Sequence, residues 1–78
     1  MEFKVFLSKM DEIYEFVNKA GEYSCDIIVK NTDRVFAIDG SSLMGMFSLD
    51  LSRPVLVQIE DIEQGEQFQN DVKKYIVE

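Results

Sequence analysis

The sequence predicts an α+β open-faced sandwich, in which a four-stranded antiparallel sheet carries three helices on one face. Short alternating segments predict the strands, and amphipathic segments predict the helices. Their order is β-α-β-β-α-β-α, so strands and helices do not alternate one for one, which favours an antiparallel sheet over a parallel one. The 78 residues are expected to form one domain, residues 1–78, with a modest core.

The first strand and the first helix are predicted close together. Residues 2–7 mostly alternate between polar and apolar positions, with Phe3, Val5 and Leu7 on one side. Ser8 is expected to cap the helix, with Asp11 completing a short capping box, and Gly21 to end it. Helical spacing predicts one buried face, which comprises Met10, Ile13, Tyr14, Val17 and Ala20.

The middle of the chain predicts a β-hairpin and a short helix. Residues 26–30 and 34–38 are rich in strand-forming side chains. Residues 31–33 predict the turn between them, because Asn and Asp tolerate left-handed backbone angles. Residues 39–41 break the strand. A second helix of about two turns is predicted from the i, i+3, i+4 spacing of Leu43, Met46 and Phe47.

The last third predicts a strand and a helix. Val55, Val57 and Ile59 alternate with more polar neighbours after a break at residues 52–54. The acidic residues between 60 and 66 are interpreted as a solvated loop leading into a helix, since calcium-loop spacing is absent. Lys73 and Lys74 lie near the C-terminal end of the predicted helix, where the helix dipole favours cations. The final helix is predicted from the spacing of Phe68, Val72, Tyr75 and Ile76.

Composition limits the classes of partner. The formal net charge of −7 disfavours nucleic acid, whose phosphates would be repelled. No apolar run approaches the roughly 20 residues that a membrane helix needs, so no membrane association is expected. Cys25 is the only cysteine and is expected to be a semi-buried filler. A single cysteine without an internal disulfide fits a reducing cytoplasm.

The residue inventory predicts a protein that is not an enzyme. The chain has no histidine, so no triad or zinc site of the usual kind can be assembled, and one cysteine cannot complete a metal cluster. The four glycines are scattered and form no phosphate-binding loop. No cofactor and no metal are therefore expected.

One segment is specific enough to indicate a family. Residues 42–49 read Ser-Leu-Met-Gly-Met-Phe-Ser-Leu, and this octet resembles the second helix of HPr, the small phosphocarrier of the bacterial sugar phosphotransferase system. Residues 42–60 follow the Gram-positive HPr pattern without a gap, and the resemblance covers nearly the whole chain. It implies an HPr-like open-faced sandwich.

The expected carrier site departs from the family pattern. An HPr carries phosphate on one histidine, followed by an arginine and a proline near the start of the first helix. When this chain is laid on the HPr pattern, Lys9 takes the position of the histidine, Asp11 that of the arginine and Glu12 that of the proline. Phosphoryl carriage needs a nucleophile that titrates near neutral pH and a cation that holds the phosphate. The resemblance thus implies an HPr-like protein without carrier activity.

A second family position is retained. In Gram-positive HPr proteins, and in a histidine-less relative that acts in catabolite repression, a serine that opens the second helix is phosphorylated. Ser42 matches this serine, and Leu43, Met44 and Phe47 match the apolar patch used for docking. The resemblance implies a bacterial regulatory or adaptor protein. Its expected partners are proteins: an HPr kinase/phosphatase, a transcription regulator or a phosphotransferase-system component.

Alternatives remain beside this hypothesis. Ser42 is a favoured residue for a plain helix cap, and Ser41 could take that role instead. At least one of the three apolar residues must anchor the short helix in the core. The chain could also be a degenerate HPr-fold interaction or assembly module without any phosphotransferase role. A carrier that uses a residue other than histidine finds no supporting chemistry, and the oligomeric state stays open.

Overall fold

The computed structural model describes residues 1–77 and shows an α+β open-faced sandwich. A five-stranded antiparallel sheet has the strand order β3-β2-β4-β1-β5. The strands are β1 (Glu2–Val5), β2 (Ile28–Asn31), β3 (Ala37–Asp39), β4 (Val55–Gln58) and β5 (Ile76–Val77). The helices are α1 (Met10–Ala20), α2 (Leu43–Phe47) and α3 (Ile62–Asp71), and a 3₁₀ turn, Lys73–Tyr75, follows α3.

The core lies between the sheet and the helices. Phe68 of α3 meets the ring of Phe16 of α1 edge-on, with 5.3 Å between centroids, and lies 6.5 Å from that of Phe3 of β1. The alternation predicted for the first and fourth strands is confirmed. All six apolar residues on the predicted inner sides of the first and fourth strands are buried: Phe3, Val5, Leu7, Val55, Val57 and Ile59.

The fifth strand is the main departure from the predicted fold. Ile76 was expected on the final helix, but α3 ends at Asp71 and the chain returns to the sheet. Ile76 pairs with Val5 and Val77 pairs with Lys4, both antiparallel. These pairings satisfy backbone groups on the edge of β1 that would otherwise be open.

The buried face of α1 is rotated from the prediction. Ile13 and Ala20 are buried as expected, and Phe16 is fully buried between them. Met10 and Tyr14 are instead 54% and 46% exposed. The predicted buried stripe was wrong at Met10 and Tyr14. The helix instead turns Phe16 into the core, because the aromatic ring of Phe16 removes more apolar surface from water.

The hairpin is shorter than predicted, and its turn does not use left-handed backbone angles. β2 includes Asn31, which is fully buried rather than a turn residue. Its side-chain amide donates to the Asp50 carbonyl at 2.8 Å and accepts from the Asp50 amide at 3.0 Å. Within residues 1–77 no residue has a positive φ, so the left-handed turn was wrong. β3 starts only at Ala37, and the predicted strand residues Val35 and Phe36 lie exposed in the loop.

Candidate functional site

The starts of α1 and α2 lie toward opposite ends of the sheet. Val5 and Asn31 both pair with Val55 at one end, and the chain reaches Lys9 at the start of α1 just after Val5. Asp39 pairs with Ile28 at the other end, and Ser42 follows shortly after Asp39. The two candidate phosphate positions are therefore separate sites on antiparallel elements.

At the start of α1 the helix is capped by its own carboxylates. Lys9 is the exposed N-cap residue, and its carbonyl accepts from the amides of Glu12 and Ile13 at 3.1 Å each. The Glu12 carboxylate accepts from the Ser8 amide at 2.8 Å, from the Ser8 hydroxyl at 3.1 Å and from the Lys9 amide at 3.2 Å. The predicted box between Ser8 and Asp11 is thus wrong, since Glu12 reaches back to fill that role.

These contacts stabilise the ionised carboxylate of Glu12. The backbone hydrogen bond from Ser8, joined by the Ser8 hydroxyl and the Lys9 amide, lowers the pKa of Glu12 below its ordinary value. The Asp11 carboxylate also accepts from the Glu12 amide at 3.0 Å. The Ser8, Lys9 and Glu12 amides already donate to carboxylates, and an incoming phosphate would meet the two negative charges of Asp11 and Glu12.

At the start of α2 a serine hydroxyl is the cap. Ser42 Oγ accepts from the Gly45 amide at 3.0 Å, while the Ser42 carbonyl accepts from the Met46 amide at 3.0 Å. Ser41 is held differently, because its amide and hydroxyl donate to the Asp39 carboxylate at 2.9 and 2.7 Å. Of the two serines, Ser42 therefore caps the helix, and the first turn of α2 contains no acidic residue.

The predicted apolar patch divides between core and surface. Leu43 is half-buried against the core, whereas Met44 is 83% exposed and Phe47 is 45% exposed. Met46, the fourth apolar residue of α2, is fully buried and anchors the helix. Gly45 lets α2 approach β3 closely, because a Cβ atom there would lie 3.3 Å from that of Ile38.

The structure also exposes two apolar residues of α1. Met10 and Tyr14 were expected in the core but are exposed on α1, which packs against α2. The sequence contains a signal for this arrangement: Ile13, Phe16 and Ala20 form an alternative i, i+3, i+7 stripe. We use "helix-side surface" for the four exposed residues Met10, Tyr14, Met44 and Phe47.

Other groups carry little site chemistry. Cys25 is half-buried, as predicted, and burial raises the pKa of its thiol, which disfavours the reactive thiolate. In the described part of the chain, no three carboxylate or cysteine side chains are arranged to hold a metal ion. No helix within residues 1–77 is long and apolar enough to cross a bilayer.

Comparison with known proteins identifies the fold. No protein-family model matches the sequence, and no curated protein matches it. Two crystal structures superpose with a TM-score of 0.75 each. HPr-C-His from Thermoanaerobacter tengcongensis is 20% identical, over 95% of this chain and 88% of its own. The phosphocarrier protein HPr from Bacillus anthracis is 18% identical, over 99% and 96%.

This similarity shows an HPr-like fold, because it covers nearly all of both chains at a low sequence identity. The resemblance predicted from residues 42–49 is confirmed at the level of the fold. The sheet differs in having five strands where four were expected.

Proposed function

We propose that this chain is an HPr-type regulatory or adaptor protein that does not carry phosphohistidine. It acts in the bacterial cytoplasm, next to the phosphotransferase system, and binds other proteins through the helix-side surface. Phosphorylation of Ser42 switches this binding. The partners belong to three classes: an HPr kinase/phosphatase, a transcription regulator and components of the phosphotransferase system.

The state of the α1 start is the observation that carries the proposal. Lys9 stands at the N-cap, the position at which the resemblance to HPr places the carrier histidine, and the chain contains no histidine. The carboxylates of Glu12 and Asp11 accept from the Ser8, Lys9 and Glu12 amides and bring two negative charges to this helix start. An HPr-like fold with this site closed supports roles other than phosphoryl carriage.

The α2 start supports the switch. A phosphate on Ser42 would remain at a helix N-terminus, where its oxygens could replace the hydroxyl as acceptor for the Gly45 amide. Asp50, an acidic residue shortly after α2, has its carboxylate 3.4 Å from the Arg53 guanidinium. The remaining acidic neighbour is Asp39, whose carboxylate is engaged by Ser41.

The switch is tested by incubating the protein with an HPr kinase and ATP and recording the intact mass. Wild type is expected to gain the mass of one phosphoryl group, and Ser42→Ala none. Ser41→Ala is the matched control, since it removes the neighbouring hydroxyl and leaves the cap in place. It should be phosphorylated as wild type is. No gain on wild type would refute the switch, and a gain on Ser42→Ala would move it to another residue.

The loss of carrier activity is tested separately with phosphoenolpyruvate and enzyme I. No transfer to this chain is expected, because neither the nucleophile nor the phosphate cradle is present at the α1 start. Formation of an acid-labile phosphoprotein would refute this part of the proposal and leave the Ser42 hypothesis standing.

A second candidate is an interaction or assembly module without a phosphotransferase role. The bond from the Gly45 amide to Ser42 favours it, since a plain cap accounts fully for a serine at this position. This candidate predicts no phosphate on Ser42 under the kinase conditions above. It also predicts that any partner binds wild type and Ser42→Ala equally well.

A further inference from the structure

The chain has four methionines, and the fold exposes them to very different extents. Met44 of α2 is 83% exposed and Met10 of α1 is 54% exposed. Met1 is half-buried against the core, and Met46 is fully buried. A dissolved oxidant must reach the thioether sulfur, so the rate of methionine oxidation rises with exposure. Met44 is therefore the methionine that this fold leaves most open to oxidation.

Met44 lies beside two residues on which the proposed partner binding depends. It is in the first turn of α2, two residues after Ser42, whose hydroxyl caps the helix. Met44 and Phe47 are three residues apart, so they are neighbours on one face of α2 within the helix-side surface. A partner that covers both ends of this five-residue helix therefore also meets the exposed Met44 side chain between them.

The thioether of Met44 can accept one oxygen atom from a hydroperoxide. The O–O bond of the peroxide breaks, an S=O bond forms at Sδ, and the peroxide is reduced to water or to an alcohol. The sulfur is oxidised to a sulfoxide, and no other bond of the protein changes. Methionine sulfoxide carries a polar oxygen where the side chain was apolar. Oxidation therefore changes the surface chemistry of α2 at a single atom.

The fold of α2 does not depend on the Met44 thioether. The helix is anchored by the fully buried Met46 and capped by the hydrogen bond from the Gly45 amide to Ser42 Oγ. A sulfoxide on Met46 would bring a polar oxygen into the core at a large cost in free energy, but burial shields that sulfur from the oxidant. Oxidation of Met44 thus alters the surface and leaves the helix in place.

We infer that Met44 is an oxidation site, and that its conversion to the sulfoxide by a hydroperoxide weakens protein binding at the helix-side surface. The inference rests on the proposed function, because it regulates the surface through which this chain is proposed to bind its partners. An apolar partner surface that covers the sulfoxide has to desolvate its oxygen without supplying a hydrogen bond. Binding therefore weakens by at least about fivefold, while the Ser42 cap is unchanged.

The site is tested by treating the folded chain with dilute hydrogen peroxide and mapping the oxidised peptides by mass spectrometry. Among the methionines, the first oxygen is expected on Met44 and the second on Met10, with none on Met46 while the amide NMR spectrum of the folded chain persists. The same treatment in concentrated urea is the control, since all the methionines should then react at similar rates. A first oxygen on another methionine, or a preference for Met44 that persists in urea, would overturn the assignment.

The effect on binding is tested through the rate at which an HPr kinase phosphorylates Ser42, at a chain concentration low enough for the rate to follow binding. Peroxide is removed before the kinase is added. Each protein is compared with its own untreated sample, because Met44 belongs to the proposed binding surface and its substitution can change the basal rate. Oxidation should lower the wild-type rate by at least about fivefold. It should lower the rate of Met44→Leu by less than about twofold, since leucine has a similar volume and is not oxidised.

Met10→Leu is the matched control, because it removes the other exposed thioether of the helix-side surface and keeps Met44. Oxidation should lower its rate as much as that of wild type. An equal fall in Met44→Leu, or no fall in wild type once Met44 is oxidised, would overturn the inference. If untreated wild type is not phosphorylated at all, the proposed function is refuted and the regulation with it, while the peptide maps still decide whether Met44 is the oxidation site.

Discussion

The helix starts of α1 and α2 both supply side-chain acceptors for unpaired backbone amides, but the acceptor is charged at α1 and neutral at α2. Both leave backbone amides without partners inside the helix. At α1 the Glu12 carboxylate supplies the acceptor, so a full negative charge already sits on the helix dipole. At α2 the acceptor is the neutral hydroxyl of Ser42. The carboxylates at the first start repel an added anion, whereas the second start carries no carboxylate in its first turn and can receive an anion by modification.

The two helices also differ in length and in the number of buried residues that hold them against the core. α1 has 11 residues, and three of them are buried in the core. Its stability therefore depends less on the residues that cap its start. α2 has five residues and a single fully buried anchor, Met46. A helix this short depends on its cap and on its anchor, which makes its start the more sensitive point.

The largest effect is expected from removing that anchor. Met46→Ala should lower the free energy of unfolding by about 2–5 kcal/mol, because it deletes a fully buried side chain and leaves a cavity. Urea denaturation measures the loss. Met44→Ala is the control and should change stability by less than about 0.5 kcal/mol, since Met44 is 83% exposed. Equal losses would show that α2 is not anchored through Met46.

A smaller effect is expected at the α2 cap. Ser42→Ala should cost about 0.5–2 kcal/mol, because the Gly45 amide loses its acceptor. Ser42→Asp should recover most of this loss, since aspartate is an equally good cap. Ser41→Ala, assayed by the same denaturation, should cost less than Ser42→Ala. The reverse order would assign the cap to Ser41 instead.

The α1 start is distinguished by its pH dependence. The lowered pKa of Glu12 means that its contribution to stability is present above the unfolded pKa, near 4.3, and is lost as the pH falls through the folded value. Glu12→Gln should therefore have a lower melting temperature at neutral pH and lose less on acidification. Melting curves between about pH 7 and pH 3 measure this difference.

The control for this experiment is Glu66→Gln, which removes an exposed carboxylate of α3. It should lose stability on acidification as wild type does. Part of the acid dependence will persist in Glu12→Gln, because hydrogen bonds also lower the pKa values of Glu15, Asp33 and Asp50. An unchanged acid limb in Glu12→Gln would contradict the capping role.

The smallest effect is expected in anion binding. Inorganic phosphate should leave the wild-type amide resonances of residues 9–12 unchanged, since carboxylates occupy this helix start. Asp11→Asn/Glu12→Gln removes both charges and should show weak, saturable shifts there. Shifts of the same size in wild type would mean that the start of α1 is open, and the contrast between the two helices would disappear.

Much of the fold could be predicted because local periodicity encodes it. The alternation around Val5 and Val57 places both residues in the core, and both are fully buried. The spacing of Leu43, Met46 and Phe47 predicts α2 with its start at Ser42. These patterns work because strands repeat every two residues and helices every 3.6.

Two errors in the prediction, on the buried face of α1 and at Asn31, share one physical origin. Met10 and Tyr14 fit a helical stripe as well as Phe16 does, and only the position of Phe68 on another helix decides which stripe is buried. Asn31 has turn chemistry, yet the backbone of Asp50 makes it a buried strand residue. Each outcome depends on a partner that is distant in sequence.

The sequence by itself determined the fold class, the absence of a carrier histidine and the candidate serine of α2. Only the three-dimensional structure showed that Glu12 caps the start of α1, that Ser42 rather than Ser41 caps α2 and that residues 76–77 form a fifth strand. Side-chain identity and spacing are local properties. Helix rotation and edge pairing are set by the free energy of contacts that exist only after the sheet and helices have packed together. The choice between two neighbouring caps depends on the local backbone geometry at each helix start.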